Sequence, residues 1–206
     1  MKMKRIVFYV FFTAVLSLFY SCGSSKPIQK YLLVPLAENE NSSSQTADNN
    51  NIKIAAGIIE FPEYLTNPQI ISFKKSNELY RDEYNRWASP LQSNFEKVLL
   101  EDISTYIPTD KILLYGSESL GHNVYRINVV VTEFGLQVDS SIVLTARWGT
   151  PLMRNSFTLN KKSSFSEDGK GADYNEQVHI LSELTSKLAK EISDEIKLKN
   201  SEIDKN

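Results

Sequence analysis

Residues 124–148 read VYRINVVVTEFGLQVDSSIVLTARW, and their alternation decides the fold class. Tyr125, Ile127, Val129 and Val131 recur at every second position and share one face, with Arg126, Asn128 and Thr132 on the other. After a turn at Asp139-Ser140 the period resumes, with Ile142, Leu144, Ala146 and Trp148 against Ser141, Val143, Thr145 and Arg147. Successive strand side chains point to opposite faces, so this pattern predicts two antiparallel strands with one face on a core. A second turn at Gly149-Thr150-Pro151 leads to a third strand expected at Ser156–Leu159, where Phe157 and Leu159 keep the period.

On either side the period changes to that of a helix. Upstream, Leu91, Phe95, Val98, Leu99, Ile103, Tyr106 and Ile107 follow at spacings of three and four, so they share one helical face. Ser89 and Gln92 form a capping box around Pro90, and Pro108 stops the helix. Trp87, just before the cap, is expected to pack against the sheet. Downstream, a Gly-bearing loop at 166–172 precedes Asp173 and Glu176, a second capping pair. Leu181, Leu184, Leu188, Ile192 and Ile196 then form an apolar stripe, with Lys187, Lys190, Glu191, Asp194 and Glu195 on the wet face.

Further upstream the elements are short. Tyr31–Val34 reads as a strand ended by Pro35, and 37–51 (AENENSSSQTADNNN) as a solvated, flexible insertion. Residues 52–59 read as a mostly buried strand broken by Gly57. Pro62 and Pro68 hold 61–70 (FPEYLTNPQI) extended and argue against a helix there. Residues 70–73 and 78–80 are short strands around Lys74-Lys75-Ser76-Asn77, whose basic pair reads as a solvated turn. The coarse order is βββ–α–βββ–α: a single α/β domain over 30–199, with a disordered tail at 200–206.

The N-terminus follows different rules. Lys2, Lys4 and Arg5 precede a 14-residue apolar run from Ile6 to Phe19. As a helix that run is only about 21 Å long, short of a hydrocarbon core of about 30 Å, so it reads as a signal sequence. The chain's one Cys, Cys22, stands where cleavage is expected, as in a bacterial lipoprotein. The expected product is a protein starting at Cys22, with diacylglycerol and an N-acyl chain on it. Two or more acyl chains suffice for stable anchoring. Removing 1–21 takes three of the 23 basic residues and none of the 25 acidic ones, leaving a net charge of −5. Residues 22–29 form a tether that spans at most about 25 Å from Gly23 to Gln29. No acidic residue stands beside the Cys, which favours the outer membrane, with the domain facing the periplasm of a Gram-negative cell.

Chemistry is sparse. With a net charge of −2 there is no basic field for nucleic acid. A single Cys excludes an internal disulfide, and two His, His122 and His179, lie outside any metal or hydrolase motif. Gly169-Lys170-Gly171 lacks the spacing of a phosphate loop, and Glu60 and Glu63 read as two exposed carboxylates. The expectation is a protein with no catalytic residue, no metal and no cofactor beyond the lipid on Cys22.

Several stretches resemble the PqiC/YmbA-type ABC-type transport auxiliary lipoproteins. Tyr31-Leu32-Leu33 after the Cys, then 61–70, is similar to the family's "LPxYLDRPQI" stretch. Asn77-Glu78-Leu79 and Arg86-Trp87-Ala88-Ser89-Pro90-Leu91 resemble its "NEL…RWAEPL". Residues 125–129 ahead of Phe134, and 143–148, continue the match in order. Phe61 stands in place of Leu, Thr66-Asn67 in place of Asp-Arg, and Ser72-Phe73 lacks the usual Thr-Arg. The resemblance implies a three-layer α/β sandwich with a mixed β-sheet and two main helices, like the N-terminal domain of TolB. It also implies a non-catalytic, outer-membrane component of an MCE/ABC-type intermembrane lipid transport system. Such a component docks an MCE-domain protein that is coupled to an inner-membrane permease and ATPase, and acts as a homo-oligomer. Phe61, Pro62, Tyr64, Leu65 and Asn67 are the candidate docking residues, pre-ordered by the prolines. The alternatives are a scaffold or activator of a cell-envelope synthesis complex, or a carrier that holds lipid in a deep apolar pocket.

Overall fold

The computed structural model describes residues 26–38, 52–75, 77–107, 112–113, 124–152 and 158–203. The signal sequence, Cys22, most of the insertion, Pro108, His122 and Phe157 lie outside them.

The strands are β1 Gln29–Tyr31, β2 Lys53–Glu60, β3 Gln69–Lys75, β4 Glu78–Trp87, β5 Ile112–Leu113, β6 Val124–Leu136, β7 Ser141–Gly149 and β8 Lys161–Asp168. The helices are α1 Leu91–Tyr106 and α2 Tyr174–Ile203. The fold is α/β, as expected, but its strands form two mixed sheets and not one. Five strands run in the order β5-β2-β6-β7-β8, and three in the order β1-β4-β3. In the larger sheet β2 is parallel to β5 and β6, and β6, β7 and β8 are antiparallel. In the smaller sheet β1 runs parallel to β4, and β3 and β4 form a hairpin.

Both helices pack on each other and on the larger sheet, α1 on β2 and α2 across β6, β7 and β8. Ile127, Ile142, Leu144, Leu99, Ile103, Leu184, Leu188 and Ile192 are fully buried, so both stripes and the alternating faces form one core. The smaller sheet joins this body where β3 meets β6. Gly135 makes that approach possible: its φ is +127°, and an added Cβ would sit 3.3 Å from the Ile71 carbonyl oxygen.

The differences from the sequence reading have local causes. After β1 the chain leaves the sheet at Leu32, and helix side chains satisfy its backbone. Asn94 accepts from Leu33 N–H at 2.8 Å and donates to its carbonyl, and Ser182 Oγ accepts from Val34 N–H. Asp102 Oδ1 accepts from both Leu36 and Ala37 N–H at 2.9 Å, so Ala37 belongs to the packed body and not to the insertion. The last described strand is β8; Thr158 and Leu159 are not strand, and Ser156 and Phe157 lie outside the described residues. β8 is a polar edge strand whose inward residue at its third position is Ser163, so its period carries no apolar signal.

Gln92 does not close a capping box. It donates from Nε2 to Ile59 O at 2.6 Å, fastening α1 to β2, while Pro90 precedes the helix without a side-chain cap. Trp87 ends β4 and is buried. Asp173 does cap α2, accepting from Glu176 N–H at 2.9 Å. That helix runs past 199 to Ile203, so 200–203 are helical and not a disordered tail; Lys199 holds its last turns by donating to Thr150 Oγ1 at 3.0 Å.

Candidate docking surface

Residues 61–68 connect β2 to β3. Pro62 and Pro68 do not keep them wholly extended: Glu63–Thr66 forms a single 3-10 turn, closed by Leu65 N–H donating to Pro62 O at 2.9 Å. Thr66 Oγ1 donates to Glu63 O, and Asn67 Nδ2 donates to Tyr64 O at 3.1 Å. Pro68 O accepts from Trp87 N–H at 2.7 Å, which joins the segment to the base of the hairpin. The turn is therefore held at both ends and by its own side chains.

The five candidate residues divide between the core and the surface. The Phe61 ring meets Phe95 edge-on at 5.1 Å and Phe134 at 5.7 Å, and those two meet at 5.9 Å. Such an edge-to-face trio adds to area burial. Leu65 is 4% exposed. Leu65 is thus buried beneath the turn, and Phe61, half-buried like Tyr64, packs against the core with part of its surface open. Pro62, Tyr64 and Asn67 are half-buried and present partial surfaces beside the exposed Glu63, Thr66 and Pro68. Tyr64 leans on Phe73 at 6.1 Å, and burial, reinforced by the negative charge of Glu133, pushes its phenol pKa up.

A second constellation, which the sequence reading missed, fixes the hairpin and the incoming chain to α2. Asp82 Oδ1 accepts from Tyr84 N–H at 2.8 Å, Asn85 N–H at 2.7 Å and Asn85 Nδ2 at 2.9 Å. Its Oδ2 accepts from Tyr174 OH at 2.9 Å. Tyr31 OH donates to Asn85 Oδ1 at 2.9 Å. Burial pushes the Asp82 carboxyl up, but these hydrogen bonds outweigh it and hold the pKa below the usual value. Burial and the neighbouring Asp82 push the Tyr174 phenol far up, so it stays a donor.

Asp102 is the reverse case. It is fully buried, and that burial raises its pKa against the pull of the Ala37 and Leu36 amides and the Ser186 hydroxyl. Only the spacing of a carboxylate within an apolar helical face could have marked it in the sequence.

Among the described residues no three His, Cys, Asp or Glu side chains gather as a metal site. His179 is exposed and pairs with Glu183 at 3.4 Å. Gly169-Lys170-Gly171 is a turn in which Lys170 N–H donates to Asp168. Two surface grooves, of about 380 and 320 Å³, have charged rims. Lys199 and Glu202 border the first; Lys161, Lys162, Glu191, Asp194 and Glu195 border the second. Neither is the deep apolar pocket that a lipid carrier needs.

The domain is an α/β fold in which Asp82, Tyr174 and Asp102 hold separate elements together. Residues 31–193 match the family described as "ABC-type transport auxiliary lipoprotein component", and the chain belongs to that family. It is 27% identical over 177 residues to the intermembrane transport lipoprotein PqiC of Escherichia coli (strain K12), covering 85% of this chain and 90% of that one. The same figures hold for PqiC of Shigella flexneri. Among solved structures, an uncharacterized protein superposes with a TM-score of 0.64 at 20% identity, over 83% of this chain and 99% of its own. A Xanthomonas campestris protein does so at 0.60 and 10% identity, over 84% and 99%. Among the described residues no helix is long and apolar enough to cross a membrane.

Proposed function

We propose that this transport-associated lipoprotein is the outer-membrane component of an MCE/ABC-type intermembrane lipid transport system. It is held by diacylglycerol and an N-acyl chain on Cys22 and docks the MCE-domain conduit from the periplasmic side. The observation that carries this reading is the family match across nearly the whole folded domain, beginning nine residues after Cys22. The arrangement of the smaller sheet supports it. The turn at 63–66 lies at the base of the hairpin, where β3 starts, and the tip is about 20 Å away along β3. The described chain enters β1 from the tip side, and the turn lies towards the opposite end of the sheet.

On this reading Pro62, Tyr64 and Asn67, with Glu63, Thr66 and Pro68, form the contact surface, and Phe61 and Leu65 set its shape from below. A preformed surface loses little entropy on binding. Copies of the domain around a conduit would form a homo-oligomer.

The test is affinity purification of the full chain, tagged at its C-terminus, from detergent-solubilised envelopes of the source bacterium, with an untagged control. Recovery of an MCE-domain protein with its permease and ATPase supports the proposal. Recovery of envelope synthases without any MCE-domain protein overturns it in favour of the scaffold alternative.

A further inference from the structure

The β3–β4 hairpin is unusual in what it leaves uncovered. Over 78–81 of β4 every residue is exposed, and on β3 Lys74 and Lys75 are exposed while Phe73 is half-buried against Tyr64. Leu79 and Tyr80 are 38% and 44% exposed. Phe73 stands opposite Leu79 and Ser72 opposite Tyr80, so apolar groups occur on both faces. Lys74 and Lys75 are exposed, as is Arg81; the Lys74 ammonium lies 6.0 Å over the Tyr80 ring. Glu78 is the one acidic residue between 73 and 81, and Lys75 pairs with it at 3.2 Å. Farther down, Asp82 is buried in its hydrogen bonds and Glu83 is exposed. The outer hairpin is thus cationic on a chain whose net charge is negative.

The direction of β1 gives this patch an occupant. β1 is parallel to β4, with Gln29 beside Asn85 and Tyr31 beside Trp87. Traced backwards, the chain therefore runs along β4 towards the hairpin tip. Lys26 already does so, its ammonium lying 5.9 Å over the Tyr84 ring. Cys22 is four residues before Lys26, a reach of at most about 14 Å.

We propose that Lys74, Lys75, Leu79, Tyr80 and Arg81 form a membrane-contact tip that rests on the anionic phospholipid surface holding the Cys22 lipid. This rests on the lipid anchor of the proposed function and adds to it a second, protein-borne contact. Its chemistry fits an interface: aromatic rings settle at headgroup level, lysines reach out past them, and cationic side chains are drawn to anionic headgroups. One lipid anchor leaves a domain free to swivel, whereas an anchor with an adjacent tip fixes its tilt and points the 63–66 turn away from the bilayer.

The experiment uses the full lipoprotein reconstituted in phosphatidylethanolamine–phosphatidylglycerol vesicles that contain a headgroup spin-labelled lipid. Cys22 is the only Cys and its thiol is taken by lipid, so Leu79→Cys, Tyr80→Cys and Asp194→Cys each carry one fluorophore. Asp194 is exposed on α2, 20 residues beyond Tyr174, which touches Asp82; that places it about 30 Å along the helix. Loss of emission from the 79 and 80 probes, with the 194 probe unaffected, is the expected result. Equal emission from all three in membrane-bound, lipidated protein overturns the tip and leaves the anchor standing. Mass spectrometry of the same preparations reads Cys22 directly, and an unmodified Cys22 overturns both.

Discussion

Replacing Tyr174 with Phe removes one hydroxyl and tests how the hairpin, the incoming chain and α2 are held together. The hydroxyl donates to Asp82 Oδ2 at 2.9 Å, in a site where Asp82 is 9% exposed. A hydrogen bond to a charged group contributes about 1.5–3 kcal/mol, and the low end applies to a pair near the surface. Tyr174→Phe should therefore cost about 1.5 kcal/mol and lower Tm by about 3–6 °C for a domain of this size. The pH dependence follows from Asp82, whose folded pKa lies below the ordinary value of 3.8. Its contribution is complete above that value and is lost as pH falls through the folded pKa. The gap between the two proteins should be widest at neutral pH and shrink below about pH 4, as the carboxyl protonates. Urea unfolding followed by Trp87 and Trp148 fluorescence, both side chains being buried, measures it. In an Asp82→Asn background Tyr174→Phe should cost markedly less, because the charge-assisted part is gone. A gap that is the same at neutral and acid pH, or undiminished by Asp82→Asn, would refute the reasoning.

Further outcomes follow from the geometry. Gly57→Ala places a Cβ 2.2 Å from Asn128 Oδ1, the atom that accepts from Ile58 N–H at 3.0 Å; it should cost about 2–3 kcal/mol, read as a lower urea midpoint at unchanged slope. Asp102→Ala leaves the Leu36 and Ala37 amides without their acceptor and should cost about 2–4 kcal/mol. Asp102→Asn keeps an acceptor and discards a buried charge. Since the Asp102 pKa is raised, wild type carries a penalty at neutral pH that fades as pH falls, so the Asn variant should match or exceed wild-type Tm at neutral pH and lose that advantage in acid. Leu65→Ala should cost about 2–4 kcal/mol by thermal unfolding. Tyr64→Ser should cost less than that and reduce recovery of the MCE-domain protein in the affinity purification.

Some of this was written in the sequence in plain form. The alternation at 125–131 and 142–148, the stripes of α1 and α2 and the Asp173–Glu176 cap are local patterns with fixed periods, and each recurs in the structure. The ordered resemblance from Tyr31 onward carried the family, which the match over 31–193 shows. The leader and Cys22 lie outside the described residues, and their reading still rests on sequence.

Other features depended on partners distant in the chain. Whether 31–34 pairs as a strand is decided by Asn94 and Ser182, which take the backbone groups of Leu33 and Val34 from 61 and 148 residues away. β8 was missed because an edge strand with a Ser turned inward has no hydrophobic period; Trp148 Nε1, donating to Ser163 Oγ at 2.8 Å, marks its inner face. The prolines fixed the backbone of 61–68, but the aromatic trio of Phe61, Phe95 and Phe134 decided which side chains face inward. Lys74-Lys75 is an ordinary turn as sequence. Only the parallel pairing of β1 with β4 puts that turn on the side from which the described chain enters β1, because strand direction is a property of pairing and not of any residue.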